Sequence, residues 1–145
     1  MRIVTRSIAL AALAFLLPLS AFAAHPAAKT SAVFHVSSKF MHKASWMHVM
    51  GSAKLRYTKA DTFITVTTDN LPKASTLGKH VYVVFASDGA MKDKAGVLKA
   101  SGNMATLTNA QVMMTKVHDL YIYAEGSSSV KQPGTGILVL SAMVG

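Results

Sequence analysis

From Ser52 to Thr58 the chain alternates: Ala53, Leu55 and Tyr57 fall on one side, and Lys54, Arg56 and Thr58 on the other. A period of two marks a strand with one buried face, because successive side chains on a pleated strand point to opposite faces. Thr62 to Thr68 repeats the pattern in β-branched residues, with Ile64 and Val66 inward. The polar stretch Lys59-Ala60-Asp61 between the two runs predicts a hairpin. His80 to Ala86 is instead continuously apolar, as expected of a strand covered on both faces or central in a sandwich. Asp119 to Glu125 alternates again, and Ser31–Val36, Gly96–Leu98, Met104–Leu107 and Ile137–Leu140 are shorter strand candidates. Turn formers separate them: Asn70-Leu71-Pro72, Ser87-Asp88-Gly89, Ser101-Gly102-Asn103 and Gln132-Pro133-Gly134. Ser37 to Ala44 reads as a loop or a short helical turn, and Val112, Met113 and Met114 fit a helical turn within 109–116. No 3.6-residue pattern is sustained anywhere beyond the N-terminus. The expected fold is all-β, an antiparallel immunoglobulin-like sandwich of about seven strands, preceded by an N-terminal signal helix.

The N-terminus follows a different grammar. Arg2 and Arg6 form a short positive stretch, and Ser7 to Leu17 is almost wholly apolar. Pro18 and Ser20 break the run, and Ala21-Phe22-Ala23 supplies small residues for cleavage. This is the three-part pattern of a secretory signal peptide. The apolar run is shorter than the roughly 20 residues of a comfortable membrane span. Cleavage after Ala23 obeys the small-residue rule, whereas cleavage after Ala24 would expose His25 as the first residue. The expected organisation is a signal peptide over 1–23, a flexible linker over 24–30 and one β-sandwich domain over 31–145. The expected location is the periplasm or the extracellular medium, with membrane contact only through the signal before cleavage.

Composition narrows the picture. The chain has 15 Lys and Arg against 6 Asp and Glu, and no cysteine. An exported domain without disulfides must be held by its core. Beyond the signal, Arg56 is the only arginine, and lysine is a mobile point charge rather than a bidentate fork. A basic exported protein suits an anionic envelope polymer or an envelope protein partner. Export argues against nucleic acid.

The second half carries an ordered set of motifs: Asn70-Leu71-Pro72, Leu77-Gly78, Tyr82-Val83-Val84-Phe85, Gly96-Val97-Leu98, Leu120-Tyr121-Ile122-Tyr123-Ala124-Glu125, Pro133-x-Gly-x-Gly and Ile137-Leu138-Val139-Leu140. This order resembles the extracytoplasmic C-terminal β-sandwich domain of anti-sigma-K-type regulators, and small exported bacterial sandwich proteins of unassigned function. The resemblance runs from about Gly51 to Gly145. It implies an extracytoplasmic sandwich for sensing, binding or scaffolding. Those regulators place a sigma-binding segment and a membrane helix ahead of the sandwich, whereas here a cleavable signal is expected, so neither sigma binding nor any site residue carries over.

Enzyme signatures are absent from the sequence: no Gly-x-Ser-x-Gly elbow, no His-Glu-x-x-His, no P-loop and no cysteine nucleophile. Glu125 is the sole glutamate, and the aspartates fall at expected turns or strand ends. The leading expectation is therefore a non-enzymatic binding or structural module of the cell envelope with no cofactor. One cluster points elsewhere. Met41-His42 and Trp46-Met47-His48-Val49-Met50 gather thioethers and imidazoles, donors that suit Cu(I) or Ag(I). As a strand, 46–50 would place Trp46, His48 and Met50 on one face, with the indole available for a cation–π contact. Met47, His48 and Met50, supported by Met41 and His42, are the candidate ligands of a periplasmic copper- or silver-binding protein. Met113, Met114, His118 and His25 would add to the set if the fold brought them close. Methionine also fills core gaps and tryptophan often anchors a core, which is the competing account of the same residues.

Overall fold

The computed structural model describes residues 28–145. The expected signal peptide with its helix, and most of the expected linker, lie outside the described residues. Ten strands follow in chain order: β1 (Lys29–Val33), β2 (His35–Val36), β3 (Met50–Tyr57), β4 (Thr62–Asp69), β5 (Val81–Ser87), β6 (Lys92–Val97), β7 (Lys99–Ser101), β8 (Met104–Val112), β9 (Asp119–Glu125) and β10 (Ile137–Met143). They form two antiparallel sheets of five. The front sheet has the order β1-β3-β4-β8-β7, and the back sheet β2-β10-β9-β5-β6. Among the described residues no helix is long and apolar enough to cross a membrane.

The count exceeds seven partly because two runs of chain change sheets. β1 pairs with β3 in front, and after Phe34 the chain pairs with β10 behind as β2. At the far edge β6 pairs with β5 behind, and after Leu98 the chain continues in front as β7 beside β8. Phe34 and Leu98 are both buried at these crossings. The first strand begins at Lys29, so Lys29 and Thr30 are paired sheet residues and not linker.

The alternation read from the sequence sets the interior. Ala53 and Leu55 of β3, Ile64 and Val66 of β4, and Ala105 and Val112 of β8 face back, and all are buried. They meet Tyr82, Val84 and Ala86 of β5, Leu120, Ile122 and Ala124 of β9, and Leu140 and Ala142 of β10. Full burial of a side chain of this kind is worth about 1.5–3 kcal/mol, so this layer is the main source of stability in a chain without disulfides. Two buried hydroxyls in the same layer are satisfied: Thr62 donates to the Met114 carbonyl at 2.6 Å and Thr68 to that of Ala105 at 3.0 Å.

β8 runs to Val112, where the sequence had suggested a helical turn. The ladder with β4 slips between Ile64 and Val66, opposite Asn109, whose φ is +52°. Asn is among the few residues that adopt this backbone region readily. The Asn109 amide donates to Thr65 Oγ1 at 3.0 Å. This bulge resets the inside–outside alternation, which is why the second half of β8 does not read as a strand.

Candidate functional site

Each sheet has an outer face, and the two are built differently. On the front face the ladder sets Lys29 beside Arg56, and Ser31 beside Lys54. It continues with Lys54 beside Thr65, and Arg56 beside Phe63. Paired residues in an antiparallel ladder project to the same side. The result is a hollow of about 450 Å³ lined by Lys29, Lys54, Arg56, Phe63, Thr65 and Asn109, among others, with no carboxylate in its lining. The Arg56 guanidinium lies 4.3 Å from the Phe63 ring centroid, within cation–π range. This concavity can receive an anionic group, with donors from two lysines, one arginine and the Ser31 and Thr65 hydroxyls.

The back face is covered. Val83 and Phe85 point outward from β5 yet are wholly buried. Tyr123 meets Phe85 edge-on at 5.7 Å, and Lys92 sits 4.5 Å over the ring of Tyr121. The segment 126–136, between β9 and β10, reaches across β5 to the edge strand β6. Lys94 Nζ donates to the Ser128 carbonyl, Gln132 Nε2 to that of Lys92 at 3.0 Å, and Lys79 Nζ to that of Thr135 at 3.1 Å. The continuous apolar run 80–86 is thus explained: alternate residues serve the core and this second apolar layer.

Beneath the strap lies Glu125, the sole glutamate. It is fully buried, and among the described residues neither carboxylate oxygen has a hydrogen-bond partner. Gly136 closes over it so tightly that a Cβ there would come within 2.0 Å of Oε1. Burial pushes the Glu125 carboxyl above its ordinary range, and the nearby Lys79 charge only partly opposes this. A buried carboxylate without partners is costly, and neutralisation is the usual escape. No local pattern announces this burial, because strand register and a folded-back loop create it.

A second cleft, of about 420 Å³, opens at the end of the sandwich where β4 ends and β5 begins. It is lined by Lys73, Lys79, His80, Tyr82 and Met104, among others, again without a carboxylate. Tyr82 donates to the Pro72 carbonyl at 2.5 Å, and burial raises its phenol to about 12. It acts as a structural donor that ties the 70–80 loop to β5.

The methionine–histidine cluster lies at this same end. Residues 46–50 do not form one strand. Ala44–Trp46 is a single 3-10 turn, and β3 begins only at Met50. The expected face of Trp46, His48 and Met50 therefore does not exist. Trp46 is buried and stacked on Phe40 with centroids 4.6 Å apart, so its indole packs inward instead of meeting a surface ion. Around this plug Met41, His42, Met47, His48 and Met50 are all exposed. Met113, Met114 and His118 follow the opposite end of the ladder, where Thr62 pairs with Val112. The eight residues of β3 separate those ends by roughly 23 Å at about 3.3 Å per residue. Those three therefore do not join the cluster, and Met114 is buried. His25 lies outside the described residues. Among the described residues no three His, Asp or Glu side chains gather as a metal site.

Asp88 shows the turn role expected of the aspartates: its Oδ1 accepts from the Ala90 and Met91 amides, which lower its pKa. Compared with protein families, curated proteins and solved structures, the chain shows no match.

Proposed function

We propose that this chain is an exported, non-catalytic module of the cell envelope that binds an anionic envelope polymer on the open face of its front sheet. One observation carries the reading: Lys29, Lys54 and Arg56 converge on a hollow with no carboxylate in its lining, on a face that none of the described residues covers. Charge-lined concavities concentrate ligands of opposite sign. The excess of Lys and Arg over Asp and Glu, which persists without Arg2 and Arg6, favours the same class of partner. The architecture fits an immunoglobulin-like module. With β1 and β2 set aside, the orders β3-β4-β8-β7 and β10-β9-β5-β6 follow the A-B-E-D and G-F-C path of that sandwich, with β6 as one added strand. The motif order that resembles the anti-sigma-K-type extracytoplasmic domain lies on this core, and such a module is a scaffold for binding rather than a source of chemistry.

The test is retention on an immobilised polyuronate compared with neutral dextran. Retention on the polyuronate alone, weakened by salt and lost in a Lys54→Glu, Arg56→Glu double variant, supports the reading. Equal behaviour on both matrices, or retention indifferent to the double variant, overturns it.

A second reading is a periplasmic Cu(I)- or Ag(I)-binding protein. The observation that favours it is the exposure of methionine. Of the described methionines only Met114 is buried; Met41, Met47, Met50, Met91, Met104, Met113 and Met143 are all exposed. Methionine is ordinarily among the core residues, so gap-filling does not account for these seven. Silver titration with isothermal calorimetry tests this reading, and the absence of a saturable heat would end it.

A further inference from the structure

We propose that the soft-metal site, if the second reading holds, is centred on a pair of thioethers the sequence does not place together: Met50 of β3 and Met104 of β8, facing each other across Asp69 of β4. The ladder pairs Met50 with Asp69, and Asp69 with Met104. Residues directly opposed across an antiparallel ladder project to the same side, so the three side chains form one row on the outer front face. Both thioethers are open to solvent, at 67% and 43% exposure.

The spacing suits a bridging ion. Two interstrand steps of about 4.8 Å separate the two methionine backbones by roughly 10 Å. Each side chain has three rotatable bonds, enough to turn both sulfurs toward a point above Asp69. That carboxylate lies on the path between them, and its negative charge offsets that of a monovalent cation.

The row is pinned to the loop before it. Asn70 Nδ2 donates to the His48 carbonyl at 3.1 Å, and the Asn70 amide donates to the Asn103 carbonyl at 2.8 Å. Asn70 therefore fixes the backbones of residues 48 and 103 beside the row. His48, also exposed, is two residues from Met50 and supplies the third donor. Thioether and imidazole donors select Cu(I) or Ag(I) over harder divalent ions.

The experiment is a silver titration of the purified chain carrying 13C-methyl methionine, read by methyl NMR and assigned with single Met→Leu variants. These exchanges nearly conserve volume and lie at the surface, so the fold is retained. At one equivalent of Ag(I), the Met50 and Met104 methyl signals should shift together while Met91, Met113 and Met143 stay in place. Met104→Leu should weaken binding by at least about tenfold, the order lost when even outer partners of a metal are removed. Shifts confined to Met41 and Met47 would overturn this site while sparing the broader silver reading. Parallel shifts of every exposed methionine would mean unspecific thioether binding and would also overturn it. No shift at all would remove both this site and the second reading.

Discussion

The two outer faces of the sandwich come from one chain and one architecture, yet one is open and the other sealed. The front face carries Lys29, Lys54, Arg56, Ser31, Thr65 and Thr67 outward, and the only acid on its ladder rows is Asp69 at one end. The back face carries Val83 and Phe85 outward, and a strap of eleven residues covers them. The difference follows from what each face asks of water. A row of hydroxyls and cations is at ease in solvent, whereas a valine and a phenylalanine side by side are not. A sealed face adds stability, and an open face keeps its polar and charged groups in water. The same logic places the cost: the strap that hides Phe85 also hides Glu125, a carboxyl with no hydrogen-bond partner among the described residues.

This contrast can be broken most severely through Phe85. Phe85→Ala should cost about 3–5 kcal/mol, the range for deleting a buried aromatic ring, read as a lower denaturant midpoint with little change at the front face. Next comes Gly136→Ala. The added Cβ meets the end of the Glu125 side chain at 2.0 Å. A carboxylate would ordinarily swing aside, but here it is enclosed. A loss of about 1–3 kcal/mol is expected from the overpacking. Adding Glu125→Ala should recover part of it, and a double-mutant cycle showing no coupling between the two sites would refute the contact.

Glu125 itself sharpens the comparison through pH. Its folded pKa is raised, so the folded state holds the proton more tightly than the unfolded chain. The corresponding stability is fully present below the ordinary carboxylate range. It is lost as pH rises from that range through the raised folded value. Stability should therefore decline over this window in the wild-type chain. Glu125→Leu should flatten the decline and add about 1–3 kcal/mol at neutral pH, the cost of an unpartnered buried polar group in mutational data. A wild-type profile that rises with pH across the window would contradict the assignment. The smallest stability effect belongs to the front face. Lys54→Glu with Arg56→Glu should change unfolding free energy by no more than about 0.5 kcal/mol per site, as for ordinary surface positions. Binding to a polyanion should fall sharply in the same variant.

What could be read in advance follows the same division. Strands that alternate announced their inward residues: Ala53, Leu55, Ile64 and Val66 are all buried as the period of two required. The apolar run of β5 announced two-sided burial, though not what would cover its second side. The remainder depends on long-range pairing. Asn109 breaks the alternation of β8, so 109–112 does not announce itself as strand. Trp46 shares a surface face with His48 and Met50 only if 46–50 is a strand; Ala44–Trp46 turns instead, and the indole anchors the core on Phe40, the competing account of this residue. Met104 lay far from Met50 in sequence, and only the central position of β4 between β3 and β8 makes them neighbours across one residue. The front-face hollow likewise joins β1, β3, β4 and the β8 bulge, four stretches that no local pattern connects.

The two runs that change sheets have a consequence for life at high concentration. The outermost strands, β1, β7, β2 and β6, are five, three, two and six residues long. Long exposed edges invite pairing with another molecule, and short edges are one of the ways natural sheets discourage it. By passing from one sheet to the other at Phe34 and again at Leu98, the chain ends β1 after five residues and β6 after six, and leaves only two- and three-residue edges, β2 and β7, beyond the crossings. Under the binding reading proposed above, a partner would then meet a face of the sandwich rather than an edge.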